Sequence, residues 1–97
     1  MIYDMNEVLR IYLGTDQNGG YQPIGNDDRL KVAYPDCYDE MIRIIEPYLE
    51  FEFTPDWKTQ TLIQASDAFA TALKEKHPEL TDLIVRSLSN RFAFDWK

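Results

Sequence analysis

The chain has 97 residues, 44% of them hydrophobic, and a formal net charge of −7 from seventeen acids and ten bases. That length fits one compact domain spanning 1–97, with a modest core and no room inside it for a second domain. The charge argues against nucleic acid or an anionic membrane as the main partner, and a single cysteine excludes an internal disulfide or a Cys-rich metal site.

No run approaches the roughly 20 apolar residues of a membrane span, and MIYDMNEV at the amino terminus lacks the basic and apolar regions of a secretory signal. The expected location is therefore cytoplasmic.

In chain order, the first predicted helix covers 4–13. Met5, Val8, Leu9, Tyr12 and Leu13 recur at helical spacing, Asp4 or Asn6 offers a cap, and Gly14 follows the last turn. From Thr15 to Asp28 the chain is rich in Gly, Asn and Asp without periodicity, which predicts a loop. Loops of that length are usually functional or mobile. Asp16, Asn18, Gly20 and Asp27 outline a degenerate calcium loop, but Tyr21 stands where glycine is required and Asp27 where glutamate is. It is not read as a metal site. Leu30, Val32 and Tyr34 then alternate with Arg29, Lys31 and Ala33, predicting a short strand or an extended lead into the next helix.

Residues 36–50 give the clearest helical pattern. Cys37, Tyr38, Met41, Ile42, Ile44, Ile45, Tyr48 and Leu49 fall on one arc, and Asp36, Asp39, Glu40, Arg43, Glu46, Pro47 and Glu50 on the other. Pro35 suits a first turn, and Asp36 and Asp39 complement the helix dipole there. Pro47 lies on the polar arc, where water can take the carbonyl that proline leaves without a partner, so a kink is expected rather than a break. Beyond residue 50 the pattern changes, with Leu49, Phe51 and Phe53 alternating with acids.

Thr54, Pro55 and Asp56 resemble a helix start and predict a helix over 55–76, with Leu62, Ala65, Ser66, Phe69, Ala72 and Leu73 on one face and Lys74 and Lys76 at its C-terminal end. After His77 and Pro78, a last helix is predicted over 79–90 from Leu80, Leu83, Ile84, Ser87 and Leu88. From Arg91, Phe92, Phe94 and Trp96 alternate. The tail either pairs as a strand with 49–53 or continues the helix, and the absence of Gly or Pro before it favours the helix. The expected fold is mainly α, a single-domain bundle of about four helices (4–13, 36–50, 55–76, 79–90). A minor β pairing of 49–53 with 92–96, giving an α+β fold, is the alternative.

Catalytic signals are sparse. His77 is the sole histidine, in a turn before proline, where capping or exposure is the ordinary role. Cys37 has no base near it in sequence and reads as a small buried hydrophobe. Asp39 and Glu40 flank the solvent arc without the apolar setting that raises a carboxyl pKa, and Gly19–Gly20 is followed by Tyr21, Gln22 and Pro23 rather than a phosphate-binding signature. No catalytic residue, cofactor or metal is predicted.

Surface recognition remains. Asp36, Asp39, Glu40, Glu46 and Glu50 form one acidic helical face, which Asp27 and Asp28 extend and Tyr34 and Tyr38 border. Any chain of this charge must place acids somewhere, but acids together with tyrosines suit rapid binding of a basic protein. The expected function is a small acidic non-enzymatic protein-binding domain, an inhibitor or immunity-type protein that neutralises a basic partner such as a bacterial nuclease toxin. That is analogy at the level of class. The alternative is a structural or regulatory homo-oligomerising or adaptor module, with Phe51, Phe53, Phe92, Phe94 and Trp96 as its apolar patch. A small carboxylate-dependent hydrolase ranks last. The expected state is a monomer or weak homodimer.

Overall fold

A computed structural model of the chain describes residues 4–56 and 58–95. They form five helices, α1 (Met5–Leu13), α2 (Asn26–Ala33), α3 (Tyr38–Leu49), α4 (Leu62–Lys76) and α5 (Asp82–Asp95), and no strand occurs among the described residues. The fold is mainly helical, as its periodicity predicts, but it has five helices rather than four.

α1 forms where expected and is closed at both ends. Asp4 accepts from the Asn6 N–H at 3.0 Å, and Gly14 adopts a left-handed φ of 62°, which glycine reaches without steric penalty. The Thr15 and Gly14 amides donate back to the Arg10 and Ile11 carbonyls at 3.0 and 3.3 Å, the pattern of a Schellman cap. α1 is the hub of the molecule, packing on α2, α3 and α5, while α4 packs mainly on α5.

The segment predicted as a strand or extended lead is helical instead. α2 runs from Asn26 to Ala33 with Asp27 and Asp28 in its first turn, where they complement the dipole. The alternation misleads because only Leu30 is buried. Tyr34 follows it by four residues and is half-buried, whereas Val32 is 82% exposed. The predicted loop of 15–28 therefore shortens to 15–25. It is tied down at several points: Ser87 Oγ donates to the Gly20 carbonyl at 3.0 Å, Thr15 Oγ1 donates to Ser87 Oγ at 2.9 Å and Asn90 Nδ2 donates to the Gly19 carbonyl at 2.8 Å.

α3 begins at Tyr38 rather than 36, leaving Pro35 and Asp36 in the preceding turn, and continues through Pro47 to Leu49. Its predicted apolar arc faces inward, with Met41, Ile45 and Tyr48 buried. The larger correction concerns α4, which starts at Leu62 and not at 55. A capping box made by Thr61 and Gln64 sets that start. Residues 51–56 run without helix or strand, so Phe51 and Phe53, two apart, both reach the ring of Phe69, edge-on at centroid distances of 5.6 and 6.0 Å. Phe69 in turn stacks on Phe92 of α5 at 4.7 Å.

The tail continues α5 to Asp95, so the minor pairing of 49–53 with 92–96 does not form; Trp96 lies outside the described residues. Arg91 of α5 donates to the Leu49 carbonyl at 3.0 Å and closes the end of α3. The core joins Val8, Leu9 and Leu13 to Leu30, Met41, Ile45, Leu73, Leu80, Ile84 and Leu88 in one cluster. Among the described residues, no helix is long and apolar enough to cross a membrane.

Candidate functional site

Apart from Asp28, the acids singled out in sequence lie along the edge formed by α2 and α3. What positions α2 is Arg29. Its guanidinium donates to four backbone carbonyls, those of Ile11 at 3.1 Å, Tyr12 at 2.9 Å, Gln22 at 2.9 Å and Ile24 at 2.7 Å. Two of these belong to the C-terminal turn of α1, whose last carbonyls have no partner within their own helix. Asn26 Nδ2 reinforces the contact on Tyr12 at 2.6 Å. Arg29 thus clamps α2 to α1 from one side and leaves Asp27, Asp28, Lys31 and Val32 facing solvent.

From that position Asp27 reaches α3. The Tyr38 hydroxyl donates to Asp27 Oδ1 at 2.9 Å, and this bond to a carboxylate pushes the Tyr38 pKa up to about 12. Lys31 Nζ sits 5.1 Å from the centroid of the Tyr38 ring, within cation–π range. Around them, Lys31, Asp36, Tyr38, Asp39, Glu40 and Arg43 line an open depression of about 790 Å³. Asp36, Asp39 and Glu40 are all exposed.

Glu46 and Glu50 continue the exposed stripe along α3. Glu46 raises the carboxyl pKa of Glu50, by a shared hydrogen bond first and like-charge repulsion second. The structure gathers Asp27, Asp36, Tyr38, Asp39 and Glu40 into one neighbourhood, with Glu46 and Glu50 farther along the same helix. Asp28 turns to the other side of α2, where it lines a second depression of about 540 Å³ with Arg10, Ile11, Arg29 and Val32. Tyr34 packs against the core, and burial together with the nearby Glu7 carboxylate raises its hydroxyl pKa. It contributes less to the edge than Tyr38 does.

Sequence reasoning missed two exposed apolar residues, Val32 at 82% and Ile24 at 86% exposure, the first of them on the Asp28 side of α2. The signal for Val32 was its place four residues after Asp28, but it required reading 26–33 as a helix.

A second polar cluster joins α1, α3 and the α4–α5 turn. Tyr48 donates to Glu79 Oε2 at 2.9 Å, and the His77 Nδ1 lies 3.5 Å from that same oxygen. The His77 ring meets Tyr48 and Phe51 edge-on at 4.7 and 6.1 Å. Burial and then the Glu79 bond push the Tyr48 pKa up to about 12, while a backbone N–H and the Tyr48 hydroxyl hold Glu79 below the usual carboxylate range. Asn6 completes the junction, donating to the Glu79 carbonyl at 3.1 Å and accepting from the Thr81 N–H at 2.9 Å. These bonds fasten helices together.

In the loop, the Asp16 carboxylate accepts from the Asn18 and Gly20 N–H groups at 2.8 and 2.9 Å. Among the described residues, no three His, Cys, Asp or Glu side chains gather as metal ligands would. Cys37 is half-buried against the core. Compared with known protein families, curated proteins and solved structures, the chain matches none.

Proposed function

We propose that the protein is a non-enzymatic protein-binding domain whose α2–α3 edge receives a basic partner, in the manner of an inhibitor or immunity protein acting on a cationic toxin such as a nuclease. The observation that carries this reading is the Tyr38–Asp27 hydrogen bond at 2.9 Å, because it joins acids from two helices into one surface. Asp27, Asp36, Asp39, Glu40, Glu46 and Glu50 stand there against Lys31 and Arg43. Such a field steers a cationic partner and raises its association rate, while the Tyr38 ring offers an aromatic anchor at the centre.

Support for a role without catalysis comes from how the polar groups are used. His77 meets two aromatic rings edge-on and lies beside Glu79, and the acids of the edge are exposed. A homo-oligomer built on the aromatic patch has less support. Phe92 is 7% exposed and stacks on Phe69, which Phe51 and Phe53 meet edge-on, so of the described patch residues only Phe94 stands in solvent, at 49% exposure.

The test combines capture from the native host with kinetics. A partner recovered on immobilised protein should be basic, and its association rate should fall at least about tenfold with Asp36, Asp39 and Glu40 all changed to Lys. It should fall similarly for the unmodified protein between low and physiological salt. An undiminished rate for the folded triple variant rules the acidic edge out.

A further inference from the structure

A groove of about 850 Å³ runs along the α4–α5 hairpin, a region the α2–α3 reading does not use. Its α4 wall carries Ile63, Asp67, Ala70 and Lys74, and its α5 wall Asp82, Arg86, Ser89 and Ala93. Each set advances by four, three and four residues, the seam spacing with which helices pack in coiled coils. The Ser89 hydroxyl donates to the Ser66 carbonyl at 3.0 Å, drawing the two helices together so that the groove floor is shallow and made of small side chains. α4 has α5 as its main helix partner, yet Ile63 on this face is 76% exposed.

We propose that this face binds a second copy of the chain, with α4 antiparallel to α4 of the other copy about a two-fold axis passing between Ala70 and Thr71. Charge decides the occupant and its direction. Asp67 and Lys74 are equidistant from that axis, so an antiparallel pairing sets Asp67 against Lys74 of the second copy, and the symmetry repeats the contact. A parallel pairing would set Asp67 on Asp67 and Lys74 on Lys74. Ala70 at the crossing point permits close approach of the backbones. Each Ile63 then falls level with the turn that follows the other copy's α4, which covers it.

The size of the face sets the strength. A helix of 15 residues is about 22 Å long, and a two-helix face roughly 20 Å wide buries on the order of 1,000 Å² over both copies. That is the lower end for specific association. The result is a weak dimer, sought at micromolar to sub-millimolar concentrations.

Sedimentation equilibrium of the full chain from about 10 to 500 µM covers that range. The unmodified protein is expected to move from monomer to dimer across it. Asp67→Lys and Lys74→Asp alone each replace two attractions with two repulsions and should weaken association at least about tenfold. An equimolar mixture of the two variants restores both contacts, one as in the unmodified protein and one with its signs exchanged, and should associate like the unmodified protein. Lys74 also contacts the Leu80 carbonyl and Asp82, so circular dichroism must confirm that its variant folds. Thr71→Arg, at an exposed position beside the axis, tests the same face without touching a tertiary bond and should be monomeric. A strict monomer at the highest concentration, which would leave the groove to a helix of some other protein, overturns the proposal. So does a dimer that persists in both Asp67→Lys and Thr71→Arg.

Discussion

Replacing Arg29 with Met keeps the apolar stem and removes the guanidinium that joins α1, α2 and the loop between them. Four bonds disappear, two of them partly buried, to Ile11 and Tyr12, and two exposed, to Gln22 and Ile24. The partly buried bonds are assigned about 1 kcal/mol each and the exposed ones about half of that, after discounting the charged-bond range for water access. The expected loss is about 3 kcal/mol. Asn26 Nδ2 still reaches the Tyr12 and Gln22 carbonyls at 2.6 and 3.1 Å, which lowers the figure toward about 2 kcal/mol. Because those acceptors are shared, Arg29→Met combined with Asn26→Ala should cost more than the two single changes added together. Arg29→Lys should recover little, since an ammonium cannot span four carbonyls as a planar fork does. Urea unfolding with an unchanged m-value measures the loss. A loss below about 0.5 kcal/mol for Arg29→Met, within the range of an ordinary surface change, refutes the clamp.

The other predictions concern the remaining junctions. Tyr48 has its folded pKa raised above the ordinary 10 to about 12, so it holds its proton more tightly folded than unfolded. Its contribution is complete below pH 10 and is lost as pH rises toward 12, by on the order of 1 to 2 kcal/mol after screening at the exposed Glu79 carboxylate. Denaturation at pH 9 and pH 11.5 should show a fall that Tyr48→Phe reduces. Ser87→Ala, at a fully buried position, leaves the buried Thr15 hydroxyl and the part-buried Gly20 carbonyl without that partner, at a cost of about 2 kcal/mol, and adding Thr15→Val should return part of it. Thr61→Ala breaks the capping box of α4 and should cost about 1 kcal/mol in thermal unfolding, whereas Thr54→Ala should cost almost nothing because residue 54 precedes no helix.

That contrast between Thr54 and Thr61 shows where the sequence was legible. α1 and α3 could be read because their burial is periodic and their ends carry local signals, Asp4 and Gly14 in one case and the change of pattern after Leu49 in the other. The start of α4 was misplaced because Thr54, Pro55 and Asp56 look like a cap on local grounds. The chain instead closes a separate turn there, the Thr59 and Gln60 amides donating to the Asp56 carbonyl at 3.1 and 2.8 Å, and the Thr61–Gln64 capping box starts the helix after it. α2 was missed because a single buried residue, Leu30, leaves almost no periodic trace. Its placement depends on Arg29, whose four acceptors lie 5 to 18 residues away in sequence. For the candidate site, the acids of α3 were legible as a stripe. The bond from Tyr38 to Asp27 was not, because it needs the position of α2.

The central claim is that this joined edge is the binding surface. Titrating isotope-labelled protein with its captured basic partner and following backbone amide resonances tests it most directly. The account predicts that the largest changes fall on Asp27 to Glu40 and extend along α3 to Glu50, while α4 is little affected. Changes centred on α4 and α5, with residues 27–40 unmoved, would contradict it.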